Sequence, residues 1–315
     1  MKPKKIFFLI ILFFNINCVQ QKFVRGSSGW GFYAEFLWVI NHLQYCITQN
    51  KIPVIYWGPS FAYYTPNGFA GSYNAWEYYF EAVSNLSYDP SDPLTTQLFY
   101  HDNSNFSSLW NYDQYIDNLH LLVPLPGNKI ERVTHGNFPR GNPYQVGNQH
   151  LYNESFRSYV KENILNRFIK FKEKITTKVE LFYNEQMRGK KTIGIHLRGQ
   201  FLWGEVPMVA NSYLFAEANK YADGKTQFFI ATDQWPLLED AKKQLKGKVI
   251  FFDCTRFDHS TAPVAGGTKL DPVLGENVLI EMLLLSHCDY FIHTISNVST
   301  TALYFNPTLK HTVLY

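Results

Sequence analysis

The sequence predicts an α/β fold whose C-terminal half is a parallel, doubly wound sheet. Three observations carry that prediction. From Lys191 onward, apolar runs of strand length alternate with helix-length stretches, the pattern of a sheet covered by helices on both faces. Those strand runs are short and continuously apolar, as strands buried on both sides are. The composition, 46% hydrophobic and 17% charged over 315 residues, is that of a folded globular chain long enough for two domains.

Taken in order, the chain opens with Lys2, Lys4 and Lys5 before an apolar run over 6–14. That run is much shorter than the roughly 20 residues a spanning helix needs, so residues 1–20 read as a secretory signal peptide or an uncleaved, membrane-associated end. A glycine-rich loop over 26–32 leads into a helix over 33–49, with Phe36, Leu37, Ile40, Leu43 and Ile47 at helical spacing. Loop-then-helix leaves backbone donors free for an anion; a turn needing positive φ explains the glycines equally. A strand follows over 53–57.

Residues 58–147 are rich in Tyr, Asn, Pro, Ser and Gly, with a short helix expected around 75–83, a strand over 119–125, and Lys129, Arg132, His135 and Arg140 in a basic loop. Asp89 to Pro93 reads as a Pro-punctuated turn rather than a metal site. Helical periodicity returns over 153–185, with a division expected at Thr176-Thr177. This places a domain boundary near Met187-Arg188-Gly189, giving domains over 21–188 and 189–315.

The C-terminal half then reads as strands over 193–197, 227–231, 249–252 and 290–293, and helices over 212–221, 236–245, 278–285 and 298–305. Polar residues at the strand ends, His196, Arg198, Thr232, Asp233, Asp253, His293, Thr294 and Ser296, are expected along one edge. In open α/β sheets the carboxyl edge is where ligands bind, and this rim suits a nucleotide. Arg198 offers a planar fork of donors that a pyrophosphate accepts at any physiological pH. The alternative is that Arg198 marks a strand emerging into solvent and His196 is a hydrogen-bonded core histidine.

A net charge of +3 asks for no nucleic-acid partner. Cys18, Cys46, Cys254 and Cys288 show neither metal-pair spacing nor a Cys-x-x-Cys motif, and read as structural thiols. No metal site is expected.

Ile-Gly-Ile-His-Leu-Arg-Gly at 193–199, Phe-Ile-Ala-Thr-Asp at 229–233, and the run from Ile280 to Ser299 containing Ser-His-Cys-Asp-Tyr-Phe-Ile-His-Thr-Ile-Ser-Asn-Val-Ser resemble, in order, the peptide motifs of the α1,6-/O-fucosyltransferase superfamily. The nodulation and core α1,6-fucosyltransferases are the nearest in flavour. The resemblance covers 191–315 well and the N-terminal part loosely. It implies a GT-B fold, two Rossmann-like domains facing across a cleft with the sugar nucleotide on the C-terminal one. It further implies inverting, metal-independent transfer of fucose from GDP-fucose to a glycan or glycoprotein hydroxyl.

Carried onto this chain, the resemblance gives Arg198 the β-phosphate and the charge of the departing GDP, and His196 and Glu281 the guanine. Ser296, Asn297 and Ser299 become phosphate ligands, with Thr232 and Asp233 at the neighbouring strand end. Glu205 falls where the core enzymes have an acidic base, and reads either as that base or as a solvated loop carboxylate. Where the family has Arg-Arg-Thr-Asp or Arg-Gly-Thr-Asp-Lys, this chain reads Arg-Gly-Gln-Phe-Leu. The competing expectations are a catalytically silent nucleotide- or glycan-binding protein on the same scaffold, or a transferase using another nucleotide sugar. Acceptor choice is expected in the N-terminal region, and residence in the secretory pathway or at a membrane face.

Overall fold

The structure, a computed structural model, describes residues 22–27, 31–48, 50–88, 98–99, 154–199, 209–258, 269–294 and 296–314. The expected leader over 1–20 with Cys18, the strand over 119–125, the basic loop and Glu205 lie outside the described residues. Among those residues no helix is long and apolar enough to cross a membrane.

The first unit is a parallel sheet in the order β2-β1-β3, from β1 (Lys22–Gly26), β2 (Ile52–Tyr56) and β3 (Leu98–Phe99). Between β1 and β2 runs α1 (Phe32–Thr48), whose Phe36, Val39, Ile40 and Leu43 are buried, as helical spacing dictates. Asn50, at φ 50°, closes it in the left-handed conformation that asparagine tolerates, and Lys51 N–H bonds back to Cys46 O at 2.9 Å. β1 carries no sequence expectation above. Its five residues hold two charges, Lys22 and Arg25, and pairing with β2 and β3 rather than apolar content makes it a strand.

The helix expected around 75–83 is only a 3-10 turn, Ala75–Tyr78, capped by Asn74. Trp76, Tyr78, Tyr79 and Phe80 are all fully buried, and no helix turns four near-consecutive side chains to one core. The chain extends instead and pairs Phe80 with Phe171, with Glu81 N–H on Lys170 O and Lys172 N–H on Tyr79 O, at 2.8 and 2.9 Å. The same pairing moves the break in the following helical region. α2 (Glu154–Val160) continues as a π-turn and a last turn to Phe168, the chain extends at Ile169 and Lys172, and α3 (Glu173–Phe182) then begins. Thr176 and Thr177 lie inside α3, so the division expected there falls before it.

After Gly189, at φ 72°, the chain enters a five-stranded parallel sheet. Its strands are β4 (Thr192–His196), β5 (Gln227–Ala231), β6 (Lys248–Ile250), β7 (Tyr290–Thr294) and β8 (His311–Leu314), in the order β6-β5-β4-β7-β8. α4 (Asn211–Asn219) and α5 (Trp235–Gln244) pack Leu214, Phe215, Leu237 and Leu238 on one face, against Ile193, Ile195, Phe228 and Ile230. α6 (Pro272–Ser286) and α7 (Asn297–Phe305) cover the other, against Phe229 and Phe291. The sheet is therefore doubly wound, as expected. That second layer belongs to one apolar cluster continuing into α1, α2, α3 and the aromatic residues over 57–80. Most aromatic side chains among the described residues are thus core or packed on it, worth about 25 cal/mol per Å² of apolar surface removed from water.

Two details bear on the site. α6 starts at Pro272, six residues before the expected 278, because Asp271 caps it by accepting from Val273 N–H at 2.8 Å and Pro272 sits at its first position. Gly194 lets α6 close on β4: a Cβ there would stand 2.9 Å from Cys288 Sγ and 3.0 Å from Leu285 Cδ2. Cys46, Cys254 and Cys288 are free thiols.

Candidate functional site

In the second sheet the chain runs β4 to β6 in one direction and β7 to β8 in the other, so the strand order reverses between β4 and β7. Loops leaving the carboxyl ends of those two strands part company there and open a crevice. A cavity of about 330 Å³ occupies it, at the small end of the size range of ligand pockets. His196, Arg198, Gly199, Thr232, Asp233, Glu281, Ser296 and Asn297 line it, together with Gly31, Phe32, Tyr33 and Ala34 around the start of α1 and Tyr63 after β2. Tyr33 ties α1 to α6 by donating from its hydroxyl to Val278 O at 3.1 Å.

His196 is the last residue of β4. Its Nδ1 lies 3.2 Å from Ser296 Oγ and 3.4 Å from Ser299 Oγ. Burial, reinforced by the Arg198 charge, lowers its pKa to about 3, so it stands in the cavity wall as a neutral, oriented imidazole. Ser296 caps α7, its Oγ accepting from Ser299 N–H at 3.0 Å. The first turn of α7 lines the cavity through Asn297 and Val298, whose N–H groups have no hydrogen-bond partner among the described residues, a setting that favours an anion.

Arg198 is half-buried and is the one Lys or Arg among the described residues lining the cavity. Gly199 follows it because the chain must pass close by Gln234 and Asp233: a Cβ at 199 would come within 2.6 Å of Gln234 Nε2 and 3.0 Å of Asp233 Oδ1. Thr232 is buried and accepts from Gln234 N–H at 3.4 Å. The loop after β5 is tied to the loop after β6 through Phe257, whose N–H reaches Asp233 O at 2.8 Å and whose O accepts from Trp235 N–H at 3.1 Å.

Glu281 rises from the middle of α6. It is buried, and its Oε1 accepts from Arg256 Nη2 at 2.6 Å. Burial pushes its carboxyl up to about 8, the Arg256 guanidinium opposing that shift and Asp233 adding to it.

Seven of the residues singled out from sequence thus meet at one cavity: His196, Arg198, Thr232, Asp233, Glu281, Ser296 and Asn297. Ser299 does not line it; fully buried in the first turn of α7, it holds His196 and Ser296 from behind. Three members of the expected rim are elsewhere. Asp253 and Thr294 are not on the cavity wall. His293 is fully buried and faces β8, its Nε2 lying 3.1 Å from His311 Nδ1. Among the described residues after β7, Ser296, Asn297 and Val298 line the cavity.

Sequence reasoning did not find Arg256, Tyr63 or the aromatic first turn of α1. A charged residue a few positions past an apolar strand was the available signal for Arg256. Nothing local marks Tyr63, which the fold carries in from the turn-rich segment. Among the described residues no three His, Cys, Asp or Glu side chains form a group that would hold a metal ion.

No family model matches the sequence, and no curated protein matches it either. Solved structures do. Fucosyltransferase NodZ from Bradyrhizobium aligns with a TM-score of 0.51 at 17% identity, covering 91% of this chain and 92% of its own. NodZ α1,6-fucosyltransferase soaked with GDP-fucose aligns at 0.50 and 17%, covering 92% and 93%. A variant of Arabidopsis thaliana FUT1 in complex with GDP aligns at 0.52 and 12%, covering 94% of this chain and 70% of that one. At these identities the likeness is one of fold: this chain shares the fold of those solved fucosyltransferase structures.

Proposed function

We propose that the protein is an inverting, metal-independent glycosyltransferase of GT-B architecture, transferring fucose from GDP-fucose to a hydroxyl of a glycan or glycoprotein. The observation that carries the reading is the meeting, in one cavity, of the Arg198 guanidinium, the N-terminus of α7 and the Glu281 carboxyl. NodZ, whose fold this chain shares, was soaked with GDP-fucose, and plant FUT1 was crystallised with GDP.

On this reading residues 189–315 hold the donor, and residues 21–188 form the domain across a cleft that selects the acceptor. Glu281 accepts the N1 and exocyclic amino hydrogens of guanine, a donor pair that adenine does not present, and His196 supports the base. Ser296 and Asn297 at the head of α7, with Thr232 and Asp233 nearby, surround the diphosphate. The acceptor oxygen attacks the anomeric carbon as the bond from that carbon to the diphosphate oxygen breaks. The acceptor's proton passes to Glu205, and the electron pair leaves with GDP. Arg198 neutralises the charge growing on the leaving group, together with the partial positive charge of the helix terminus. That arrangement supplies the positive charge a metal ion would otherwise bring. Residues 1–20 direct the enzyme to the secretory pathway or to a membrane face where nucleotide sugar is present.

The test is release of GDP from GDP-fucose, measured with and without acceptor. Wild type releases GDP, and Arg198→Ala loses the rate by two or more orders of magnitude, the size expected for a few kcal/mol of leaving-group stabilisation. A protein that binds GDP tightly yet neither hydrolyses nor transfers the sugar is a binding module instead. Equal competition by UDP and GDP removes Glu281 from its role.

A further inference from the structure

Arg256 follows β6 and contributes nothing to the cavity surface; its side chain is fully buried. It is nevertheless heavily anchored. Nη2 donates to Phe252 O at 2.9 Å and to Glu281 Oε1 at 2.6 Å, and Nη1 reaches Cys254 O at 3.4 Å. The guanidinium carbon lies 5.5 Å from the Trp235 ring centroid and 5.3 Å from that of Phe251. Two backbone carbonyls and two rings therefore fix a cation directly behind the one acidic side chain of α6 that lines the cavity.

We infer that Arg256 is a positioning residue that sets the cavity's choice of base, by committing one oxygen of Glu281, leaving the other to the ligand, and favouring the ionised carboxyl over the neutral one. This deepens the reading of Glu281 as the guanine contact and rests on it. Oε1 is taken by Arg256 and accepts weakly from Cys254 Sγ at 3.8 Å, while Oε2 has no hydrogen bond among the described residues. An ionised carboxyl only accepts, and so matches the two adjacent donors of guanine. A protonated one donates from one oxygen and accepts at the other, which matches adenine, with its acceptor N1 beside a donor amino group. The charge on Glu281 is therefore a selectivity setting.

The groups facing Glu281 are Tyr33 from α1, Asp233 after β5, and Cys254 and Arg256 after β6. Of these only Arg256 is cationic. Burial and Asp233 both favour the neutral acid, and Arg256 opposes them.

The experiment measures Kd for GDP and ADP by calorimetry between pH 6 and 9, on the full chain and on Arg256→Gln and Arg256→Lys. Wild type prefers GDP. Its preference strengthens as the pH passes about 8 and Glu281 ionises; in Arg256→Gln the GDP-to-ADP preference at pH 8 falls at least tenfold, and raising the pH further restores it. In Arg256→Lys the acid limb of GDP binding moves to higher pH, by less than in Arg256→Gln. Either variant suffices should the other not fold. A folded variant whose preference and acid limb superimpose on wild type overturns the inference while leaving Glu281 in place. A wild type with no preference for guanine is a different failure, seen before any substitution at 256, and sinks the underlying reading with it.

Discussion

His196 and His293 are both buried, and burial lowers each to about pKa 3, Arg198 reinforcing the effect on His196 and His311 that on His293. For His293 the hydrogen bonds also fix the proton. Its Nδ1 faces Thr294 O at 2.9 Å, an acceptor only, so Nδ1 carries the hydrogen and Nε2 accepts from His311 Nδ1–H. A histidine depressed on folding contributes stability that is fully present above its unfolded pKa, near 6.5, and lost as pH falls toward the folded value. Each therefore removes at most about 1.4 kcal/mol per pH unit below 6.5. Glu281, raised on folding, runs the opposite way, so comparing variants isolates one group. Urea unfolding between pH 6.5 and 5 is expected to show a smaller loss of stability with falling pH in His293→Gln than in wild type. Equal slopes would mean that His293 is not held neutral.

At the scale of elements, α6 brings Glu281 to the cavity, and Gly275 is what lets its first turns approach the aromatic segment. In an ordinary helix, replacing glycine by alanine stabilises by about 1 kcal/mol. Here a Cβ would come within 2.8 Å of Tyr79 Cζ and 3.2 Å of Tyr63 Cδ1. Tyr79 has no room to retreat, since it is fully buried and its hydroxyl donates to Pro272 O at 2.9 Å. Overpacking of about 1–3 kcal/mol should win, so Gly275→Ala is expected to lower the urea midpoint; a higher midpoint would show that the aromatic wall yields. Gly275 also explains why the sequence reads α6 too late. A glycine four residues into a helix looks like a breaker, and its reason is a tyrosine nearly 200 positions away. The break between α2 and α3 is a similar case, because extended pairing with Tyr79–Glu81 outweighs a helical pattern that continues without interruption through 169–172.

For the whole molecule, the cavity is lined by residues distant in sequence, from α1 and Tyr63 and from the β4–β7 edge. A ligand filling it bridges those segments and binds the native state alone. GDP at about a hundred times its Kd should then add roughly 2.7 kcal/mol of stability, read as a rise in Tm that UDP at the same concentration does not match. A rise equal for GDP and UDP would mean that the diphosphate, and not the base, is what the site grips.

By itself the sequence determined β4 to β7, the helices among them and the polar residues at the ends of β4 and β5, because continuous apolar runs and the residues that end them are local properties of the chain; β8, four residues over His311–Leu314, was not legible. Ser296 was legible as part of the strand-end rim, and Glu281 only through a resemblance that extends over those same strands; both line the same cavity. Only the tertiary structure decided that β1 is a strand, that His293 turns away from the crevice toward His311, that Ser299 supports rather than lines it, and that Arg256 stands behind Glu281. Each of these depends on a partner supplied by another element: strand pairing for β1, an imidazole on β8, the cap of α7, and a guanidinium 25 positions from its carboxylate. Hydrophobic periodicity is written along the chain, whereas a buried polar group is placed by whatever satisfies it, and that partner becomes adjacent only when the sheet and its helices have closed.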